Sequence, residues 1–191
     1  MKDLQKSINS YINQHVKVVN SVSQISHAIE DAFTTIASCI DRHNKILIFG
    51  NGGSAADCQH FVAELVGRFI KERKALPAIA LTTDTSILTA VANDYDYESV
   101  FTRQVEALVN GGDVVIGVST SGNSLNVFNA LLLAKENEWC TTIGLLGSDG
   151  GMIKAIVDIP IVVQSNTTYC IQECHIMILH MLCKLIDERM F

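Results

Sequence analysis

Ile46-Leu47-Ile48-Phe49-Gly50-Asn51-Gly52-Gly53-Ser54 joins an apolar, strand-like run to a loop of glycine and polar residues. A helix-like run follows directly, so the loop lies at a strand-to-helix junction. The first backbone N–H groups of a helix have no partner within the helix, its dipole favours an anion, and glycine lets the backbone come close to a ligand. The stretch therefore predicts a site for a phosphorylated ligand.

A second loop, Ser119-Thr120-Ser121-Gly122-Asn123-Ser124, repeats this layout after the apolar run Val114–Val118. It contains four hydroxyl groups and no lysine, which suits a compact phosphomonoester held by hydroxyl and amide donors. Taken alone, the loop is also compatible with an ordinary serine-rich turn in which Ser124 is the helix N-cap. The two loops together favour the ligand site.

The chain alternates strand-like and helix-like segments, which predicts a parallel α/β sheet. Ligands of such sheets bind beyond the carboxyl ends of the strands, where both loops are expected to lie. Residues 1–43 have apolar residues at helical spacing and predict two amphipathic helices before the first strand. The five predicted strands are Ile46–Phe49, Ala78–Leu81, Val114–Val118, Thr142–Leu146 and Ile159–Val163.

The composition is that of a globular domain with a substantial core, since 48% of the 191 residues are hydrophobic. The net charge is −6 and no basic stretch is interleaved with aromatic residues, so nucleic-acid binding is not supported. The six cysteines have no Cys-x-x-Cys spacing, which indicates reduced core thiols.

Targeting and membrane signals are also missing from the sequence pattern. The N-terminal residues contain no apolar signal core. The apolar stretch near the C-terminus is interrupted by His180 and Lys184, and we expect it to fall short of a membrane span. The sequence therefore predicts a cytoplasmic protein with no membrane contact.

The first loop also satisfies the dinucleotide fingerprint, as Gly50-x-Gly52-x-x-Ala55. A dinucleotide site requires an acidic residue at the end of the second strand, about 20 residues further on. The nearest fit, Asp84, comes too late in the chain. A Gly-x4-Gly-Lys-Ser/Thr sequence is absent as well, so neither a dinucleotide site nor a P-loop nucleotide site is supported.

Two clusters of polar residues lie on helix-like segments. His60 and Glu64 are four residues apart and share one helix face above the first loop, where they can ligate one metal ion. By itself, this pair is also compatible with a solvated pair on a surface helix. The second cluster interrupts the apolar run Ile171–Ile186 and consists of Gln172, Glu173, His175 and His180.

Polar side chains in that apolar run need partners if the helix is buried. Helical spacing pairs Glu173 with His180, because Gln172 lies roughly 80° around the helix from His180. The spacing therefore favours Glu173 over Gln172 as the residue that acts together with His180.

Six motifs occur together between Lys45 and Glu188: Gly50-Asn51-Gly52-Gly53-Ser54, His60-Phe61-x-x-Glu64-Leu65-x-Gly67-Arg68, Asn93-Asp94, Ser119-Thr120-Ser121-Gly122-Asn123-Ser124, Asp149-Gly150-Gly151 and Ile171-Gln172-Glu173-x-His175. In this combination the chain resembles the phosphoheptose (sedoheptulose 7-phosphate) isomerases of the sugar isomerase (SIS) domain family. The resemblance implies a three-layer αβα sandwich with a five-stranded, parallel, flavodoxin-like sheet. It also implies a single SIS domain over residues 1–191, with N-terminal helices in 1–43 and the αβα core and C-terminal helix in 44–191.

The resemblance further implies a homotetramer with one zinc ion per subunit. The implied ligands include Gln172 where helical spacing selects Glu173, and we follow the resemblance because the helix can begin irregularly near Gln172. The implied zinc ligands are His60, Glu64, Gln172 and His180. The implied substrate-binding residues are Asn51, Gly52, Gly53, Glu64, Asn93, Asp94, Ser119, Thr120, Ser121, Ser124 and Gln172.

The implied reaction converts sedoheptulose 7-phosphate into D-glycero-D-manno-heptose 7-phosphate through an enediol. This product feeds the synthesis of bacterial lipopolysaccharide core, capsule or S-layer glycans. The reaction takes a proton from C1 and returns one to C2, so we predict Glu64 as the base and His180 as its acid–base partner. The hydroxyl groups predicted to hold the phosphate are those of Ser119, Thr120, Ser121 and Ser124.

Three further positions bear on the site. At Tyr169-Cys170 the chain departs from relatives that carry an acidic-basic pair there, so help from a carboxylate at this point is not expected. Asp57 and Arg68 can reach the predicted site. Each also has an ordinary explanation, the helix dipole for Asp57 and a surface or subunit salt bridge for Arg68.

Two functions without catalysis compete with this interpretation. Some SIS relatives bind the bacterial replication initiator and share the loops, but tend to lack the catalytic pair. A sugar-phosphate sensor also needs the loops but neither an acid nor a base. The presence of Glu64 and His180 favours the isomerase, and this requires positions 60, 64, 172 and 180 to converge on one pocket beside both loops.

Overall fold

The computed structural model describes residues 3–136 and 140–190. Positions 1–2, 137–139 and 191, which the predicted domain includes, lie outside the described residues. The strands are β1 (Ile46–Gly50), β2 (Ala78–Ala80), β3 (Val114–Ser119), β4 (Thr141–Gly147) and β5 (Ile159–Val163). The α-helices are α1 (Leu4–Ser21), α2 (Ser26–Asp41), α3 (Gly53–Val66), α4 (Thr85–Asp94), α5 (Thr102–Leu108), α6 (Leu125–Glu136) and α7 (Thr168–Met190).

The two predicted N-terminal helices are confirmed as α1 and α2. The carboxylate of Asp3 accepts hydrogen bonds from the backbone N–H groups of Gln5 and Lys6, at 3.1 and 3.4 Å, and so caps the start of α1. A short 3-10 turn, Val22–Ile25, separates the two helices. Both helices therefore precede β1, as the apolar spacing predicts.

The five strands form one parallel sheet in the order β2-β1-β3-β4-β5, so the predicted parallel sheet is confirmed. Strand β1 lies between β2 and β3, and the chain therefore reverses its direction of winding at β1. Gly50, the last residue of β1, pairs with Val118 of β3. The carboxyl ends of β1 and β3 are therefore neighbours at a topological switch point, where α/β sheets bind ligands.

Apolar side chains fill both faces of the sheet. Ile48 and the other residues on its face pack against α2, α3 and α7. Phe49 points to the opposite core, which contains α5 and α6, and its ring stacks on Phe101 with 5.0 Å between centroids. The strands are buried on both sides, as expected for a parallel sheet. The predicted three-layer αβα architecture is confirmed.

Helix α7 is longer than the sequence pattern suggests. It continues through His180 and Lys184, and among the described residues it is the one helix that is long and apolar enough to cross a membrane. The expectation that this stretch is too short for a membrane span is therefore wrong. Half of its most apolar window is buried within the fold, and α7 packs against α2 and α3, as a core helix does.

Candidate active site

The two predicted ligand loops lie side by side at the carboxyl edge of the sheet. The first connects β1 to α3, and the second connects β3 to α6. The side chains of Asn51 and Asn126 exchange two hydrogen bonds, of 2.8 and 2.9 Å, and so tie the first loop to the first turn of α6. The N-termini of two helices are therefore held next to each other, which is a favourable arrangement for an anion.

Two glycines at the start of α3, Gly52 and Gly53, have informative surroundings. Gly52 has a φ of 56° and a ψ of −121°, a backbone conformation that residues other than glycine rarely adopt. At Gly53, an added Cβ would stand 2.5 Å from Nε2 of Gln172. The amide of Gln172 therefore lies directly against the N-terminus of α3.

The serine-rich loop is shaped by its own hydrogen bonds. The Oγ atoms of Ser119 and Ser124 are 3.0 Å apart, and the backbone N–H of Gly122 donates to Ser119 at 3.1 Å. Ser119 is buried, whereas Ser121 is exposed and Thr120 and Ser124 are partly exposed. Ser119 therefore holds the loop in shape, and the other three hydroxyls are open to a ligand.

The Asn93-Asp94 pair lies at the end of α4 and is exposed. Asn93 Nδ2 donates to Asp94 Oδ1 at 2.8 Å. In the turn that follows, the Tyr97 hydroxyl donates to Asn51 Oδ1 at 3.2 Å. The segment after β2 is therefore linked to the first loop.

Two residues of this arrangement, Tyr97 and Asn126, are missing from the sequence-based prediction. Asn126 is a buried amide among apolar residues of α6, and a polar residue at such a position is a recognisable signal. Tyr97 lies in an exposed turn, and nothing in the local sequence distinguishes it from other surface tyrosines.

His60, Glu64 and His180 form a cluster between α3 and α7. Nε2 of His60 lies 3.1 Å from Oε1 of Glu64 and 3.1 Å from Nε2 of His180. One ligand atom from each residue lies within 4.8 Å of the other two. The structure thus brings together three of the four predicted metal ligands, including both predicted catalytic residues.

The donor set of this cluster fits a zinc ion. Two imidazole nitrogens and a carboxylate oxygen are common zinc ligands, and a tetrahedral site separates such atoms by about 3.3 Å. The side chain of His60 is 50% exposed and that of Glu64 is 25% exposed, so a substrate can reach them. The Phe69 ring stacks on His180, with 5.7 Å between centroids, and restricts the orientation of this imidazole.

Glu173 points away from this cluster. Its Oε1 accepts a hydrogen bond from the Tyr11 hydroxyl, and its Oε2 lies 2.6 Å from Nδ1 of His15 on α1. The pairing of Glu173 with His180 that helical spacing favours is therefore wrong. Spacing along one helix does not take account of α1, which packs on α7 and binds the carboxylate of Glu173.

Gln172 approaches the same face of α3 as the cluster. Gly53, which it contacts, precedes His60 by two helical turns on one face. The expected irregular start of the helix near Gln172 is wrong, because α7 is helical from Thr168 onward.

Asp57 and Arg68 have different surroundings. Oδ2 of Asp57 is buried and has no hydrogen-bond partner among the described residues. Burial raises the pKa of Asp57, and nearby His60 partly offsets this effect. Arg68 lies 3.7 Å from Glu72 in an exposed ion pair, as the surface explanation predicts. Of these two residues, Asp57 is therefore the one whose charge interacts with His60 of the cluster.

Comparisons with known proteins identify the family. The SIS domain family model matches residues 10–147. The phosphoheptose isomerase of Geotalea daltonii is 56% identical over 187 residues, which are 97% of each chain. The solved phosphoheptose isomerase of Neisseria gonorrhoeae has 41% identity and a TM-score of 0.91, covering 97% of this chain and 99% of the other.

A second solved structure, the phosphoheptose isomerase of Francisella tularensis, has 37% identity and a TM-score of 0.93. The match covers 99% of this chain and 100% of the Francisella tularensis chain. Both the identity and the coverage extend well beyond a shared fold. The chain belongs to the phosphoheptose isomerase family of SIS-domain proteins.

Proposed function

We propose that the chain is an isomerase that converts sedoheptulose 7-phosphate into D-glycero-D-manno-heptose 7-phosphate. The observation that carries this proposal is the meeting of a carboxylate and an imidazole, Glu64 and His180, in one cluster between α3 and α7. The product would supply the synthesis of bacterial lipopolysaccharide core, capsule or S-layer glycans.

In this proposal the serine-rich loop holds the phosphate. Hydroxyls of Ser119, Thr120, Ser121 and Ser124 and the backbone N–H groups at the start of α6 donate to the phosphate oxygens, and Ser119 also maintains the loop. Binding energy from the remote phosphate orients the reacting carbons. The proposed contacts to the rest of the sugar are made by Asn51, Gly52, Gly53, Glu64, Asn93, Asp94 and Gln172.

Proton transfer is assigned to Glu64 and His180. Glu64 removes the proton from C1 of the ketose, which gives the enediol, and a proton returned to C2 gives the aldose. His180 exchanges protons with the sugar oxygens as the carbonyl moves from C2 to C1. Oε1 of Glu64 faces His60, so its other oxygen is the one available for the C1 proton.

We also propose that His60, Glu64, Gln172 and His180 hold one zinc ion per subunit. The cluster supports His60, Glu64 and His180 as ligands. Gln172 is supported by its position against Gly53, on the same face of α3. A bound zinc ion polarises the carbonyl and hydroxyl oxygens of the sugar and stabilises negative charge on them.

A homotetramer is part of the proposal. The apolar residues along one side of α1 are about half exposed or more, as the values for Leu4 (76%), Ile8 (59%), Ile12 (50%) and Val16 (48%) illustrate. A groove of about 780 Å³ runs between α2 and α7 and is lined by apolar side chains such as Phe33 and Met177. Packing against neighbouring subunits would bury both surfaces.

We also propose a cytoplasmic location and a single SIS domain over residues 1–191. All six cysteines have free thiols in the structure, which suits the reducing conditions of the cytoplasm. Both cores pack on the same sheet, which supports a single SIS domain over residues 1–191.

The function is tested by incubating the purified protein with sedoheptulose 7-phosphate and following the formation of an aldose phosphate by NMR. We expect turnover that a strong chelator abolishes and added Zn²⁺ restores. Sedoheptulose without the phosphate is the matched control, and it should react far more slowly. Binding of the phosphate ester without turnover would instead identify a sensor, and the absence of both would favour a protein-binding role such as contact with the replication initiator.

A further inference from the structure

A second cluster of metal-ligating side chains lies where α1 packs on α7. His15 of α1 faces Cys170 and Glu173 of α7, and one ligand atom from each residue lies within 4.8 Å of the other two. Cys170 and Glu173 are three residues apart and therefore share one face of their helix. The cluster is separate from the proposed active site, whose ligands on α7 point to α3.

Two buried polar atoms of this cluster face each other without hydrogen-bond geometry. Nδ1 of His15 lies 2.6 Å from Oε2 of Glu173, a distance that suits an ion pair. Both atoms are buried, yet neither makes a hydrogen bond of acceptable geometry within residues 3–136 and 140–190. Buried polar atoms of this kind are costly unless another group satisfies them. A cation between them would satisfy both.

The chemistry of the three side chains selects the kind of cation. Imidazole nitrogen, cysteine sulfur and carboxylate oxygen are all zinc ligands, whereas Ca²⁺ and Mg²⁺ prefer oxygen. Ligand bonds of about 2.0 to 2.3 Å separate the ligand atoms of a tetrahedral site by about 3.3 to 3.7 Å. The 2.6 Å between His15 Nδ1 and Glu173 Oε2 is shorter than this range, and the side chain of Glu173 is partly exposed, which leaves it room to move to ligand distance.

The surroundings of the cluster resemble those of a metal site. The Tyr11 hydroxyl donates to Oε1, the second oxygen of Glu173, and so orients the carboxylate as outer partners of metal ligands do. The Tyr11 ring stacks on Tyr169, with 4.8 Å between centroids. Cys170 is fully buried beside them. The three ligands are therefore held by two helices and an aromatic pair.

We propose that His15, Cys170 and Glu173 form a second metal site, which binds a divalent cation such as zinc and fastens α1 to α7. The fourth position of the metal is left to water or another ligand. Apart from this site, polar contacts such as the hydrogen bond from the Tyr169 hydroxyl to Gln14 Oε1, at 3.0 Å, join the two helices. The proposal goes beyond the proposed function and does not depend on it.

The test is a titration of the metal-stripped, full-length protein with Co²⁺, followed by absorption spectroscopy. Cobalt bound to a thiolate gives an intense charge-transfer band in the near ultraviolet, which a site of imidazole and carboxylate ligands does not give. We expect the band in the wild-type protein and in the double variant His60→Ala/His180→Ala. We expect it to be absent from Cys170→Ser.

Cys174→Ser is the matched control, since Cys174 is a buried thiol one turn further along α7 and lies outside the cluster. This variant should keep the band. His15→Ala and Glu173→Gln should each weaken Co²⁺ binding about tenfold or more. His15 is partly exposed, so its variant is informative even if Cys170→Ser does not fold.

Three results would overturn the proposal: no thiolate band in the wild-type protein, a band that persists in Cys170→Ser, or a band that disappears from His60→Ala/His180→Ala. A second readout is thermal unfolding. Zn²⁺ should raise the melting temperature of His60→Ala/His180→Ala, and this gain should be lost when His15→Ala is added. An equal gain in the triple variant would also contradict the site.

Discussion

Nε2 of His60 stands 3.1 Å from Nε2 of His180, although 120 positions separate the two residues in the chain. The two residues meet because α3 packs against α7. At this distance the two nitrogens cannot both carry a proton directed at the other, so at least one ring presents a lone pair. A cation between the two rings would take a lone pair from each nitrogen in place of this hydrogen bond, which makes the pair the most direct probe of the proposed zinc site.

Removal of one of these imidazoles should weaken zinc binding strongly. We expect His180→Asn to lower zinc affinity by about 100-fold or more, because one of the proposed ligands is lost. The measurement is competition with a chromophoric chelator, performed in a Cys170→Ser background so that the second proposed site does not contribute. His27→Asn changes an exposed histidine of α2 and should leave the affinity unchanged. Equal affinities in the two variants would exclude His180 as a ligand.

Glu64→Gln tests the proposed base. The amide keeps the shape of the side chain but cannot take a proton from C1, so we expect turnover to fall by about 100- to 10,000-fold. Turnover is measured at saturating sedoheptulose 7-phosphate and added Zn²⁺, with bound zinc determined on the same samples. Glu72→Gln changes an exposed carboxylate nearby and is the control. Turnover of Glu64→Gln within about tenfold of wild type would remove Glu64 from this role.

The local sequence was sufficient for the sheet and for the first half of the site. Apolar runs located all five strands, and the spacing of His60 and Glu64 placed both side chains on one face of α3. The loops could be assigned because glycine and hydroxyl residues at a strand-to-helix junction have a specific physical use. Each of these features depends on residues close together in the chain.

The contacts between distant segments were harder to predict. Spacing along α7 could not reveal that Glu173 is occupied by Tyr11 and His15, because those residues lie about 160 positions earlier. The exchange of hydrogen bonds between Asn51 and Asn126 spans 75 positions and also has no local signal for the pairing. Such contacts follow from how helices pack on the sheet, which the order of the strands decides.

The serine-rich loop offers a test of phosphate binding. Ser124→Ala removes one proposed donor to the phosphate and the partner of the buried Ser119 hydroxyl. Loss of a hydrogen bond to a charged group costs about 1.5 to 3 kcal/mol, so KM for sedoheptulose 7-phosphate should rise about 10- to 100-fold. Ser10→Ala, an exposed change on α1, is the control. An unchanged KM in Ser124→Ala would show that this hydroxyl does not bind the phosphate.

Asp187 of α7 and Arg73, in the segment after α3, form a buried ion pair. The Asp187 carboxylate accepts the backbone N–H groups of Ile70 and Lys71, at 2.8 and 2.9 Å, and Nε of Arg73 at 3.0 Å. Arg73 also donates to the backbone carbonyl of Glu64 at 2.8 Å. The two side chains are only 1 and 2% exposed. Removal of the Asp187 carboxylate therefore takes a buried acceptor away from two backbone N–H groups and from Nε of Arg73.

We expect Asp187→Ala to lower the free energy of unfolding by about 3 to 5 kcal/mol. Glu106→Ala breaks an exposed ion pair with Arg103, and should cost less than about 1 kcal/mol. Urea unfolding of both variants at one protein concentration gives the comparison. Similar losses in the two variants would contradict the importance of burial for the Asp187 pair.

His175 should make the fold sensitive to acid. It is fully buried in α7, and burial lowers the pKa of its imidazole from 6.5 to about 4, an effect that the nearby Leu146 backbone only partly opposes. The ring nitrogens have no partner with hydrogen-bond geometry among the described residues. The imidazole is therefore neutral in the folded protein near pH 7, and protonation favours the unfolded chain.

The sign of the effect follows from proton linkage. Between pH 6.5 and pH 4 the unfolded chain binds a proton at His175 that the folded protein does not, so stability falls as the pH falls through this window. The expected contribution is a loss of about 2 kcal/mol between pH 7 and pH 5. Urea unfolding at both pH values should show this loss in the wild-type protein and in the exposed control His27→Asn, and a clearly smaller loss in His175→Gln. The same loss in His175→Gln would assign the acid sensitivity to other groups, because glutamine does not titrate.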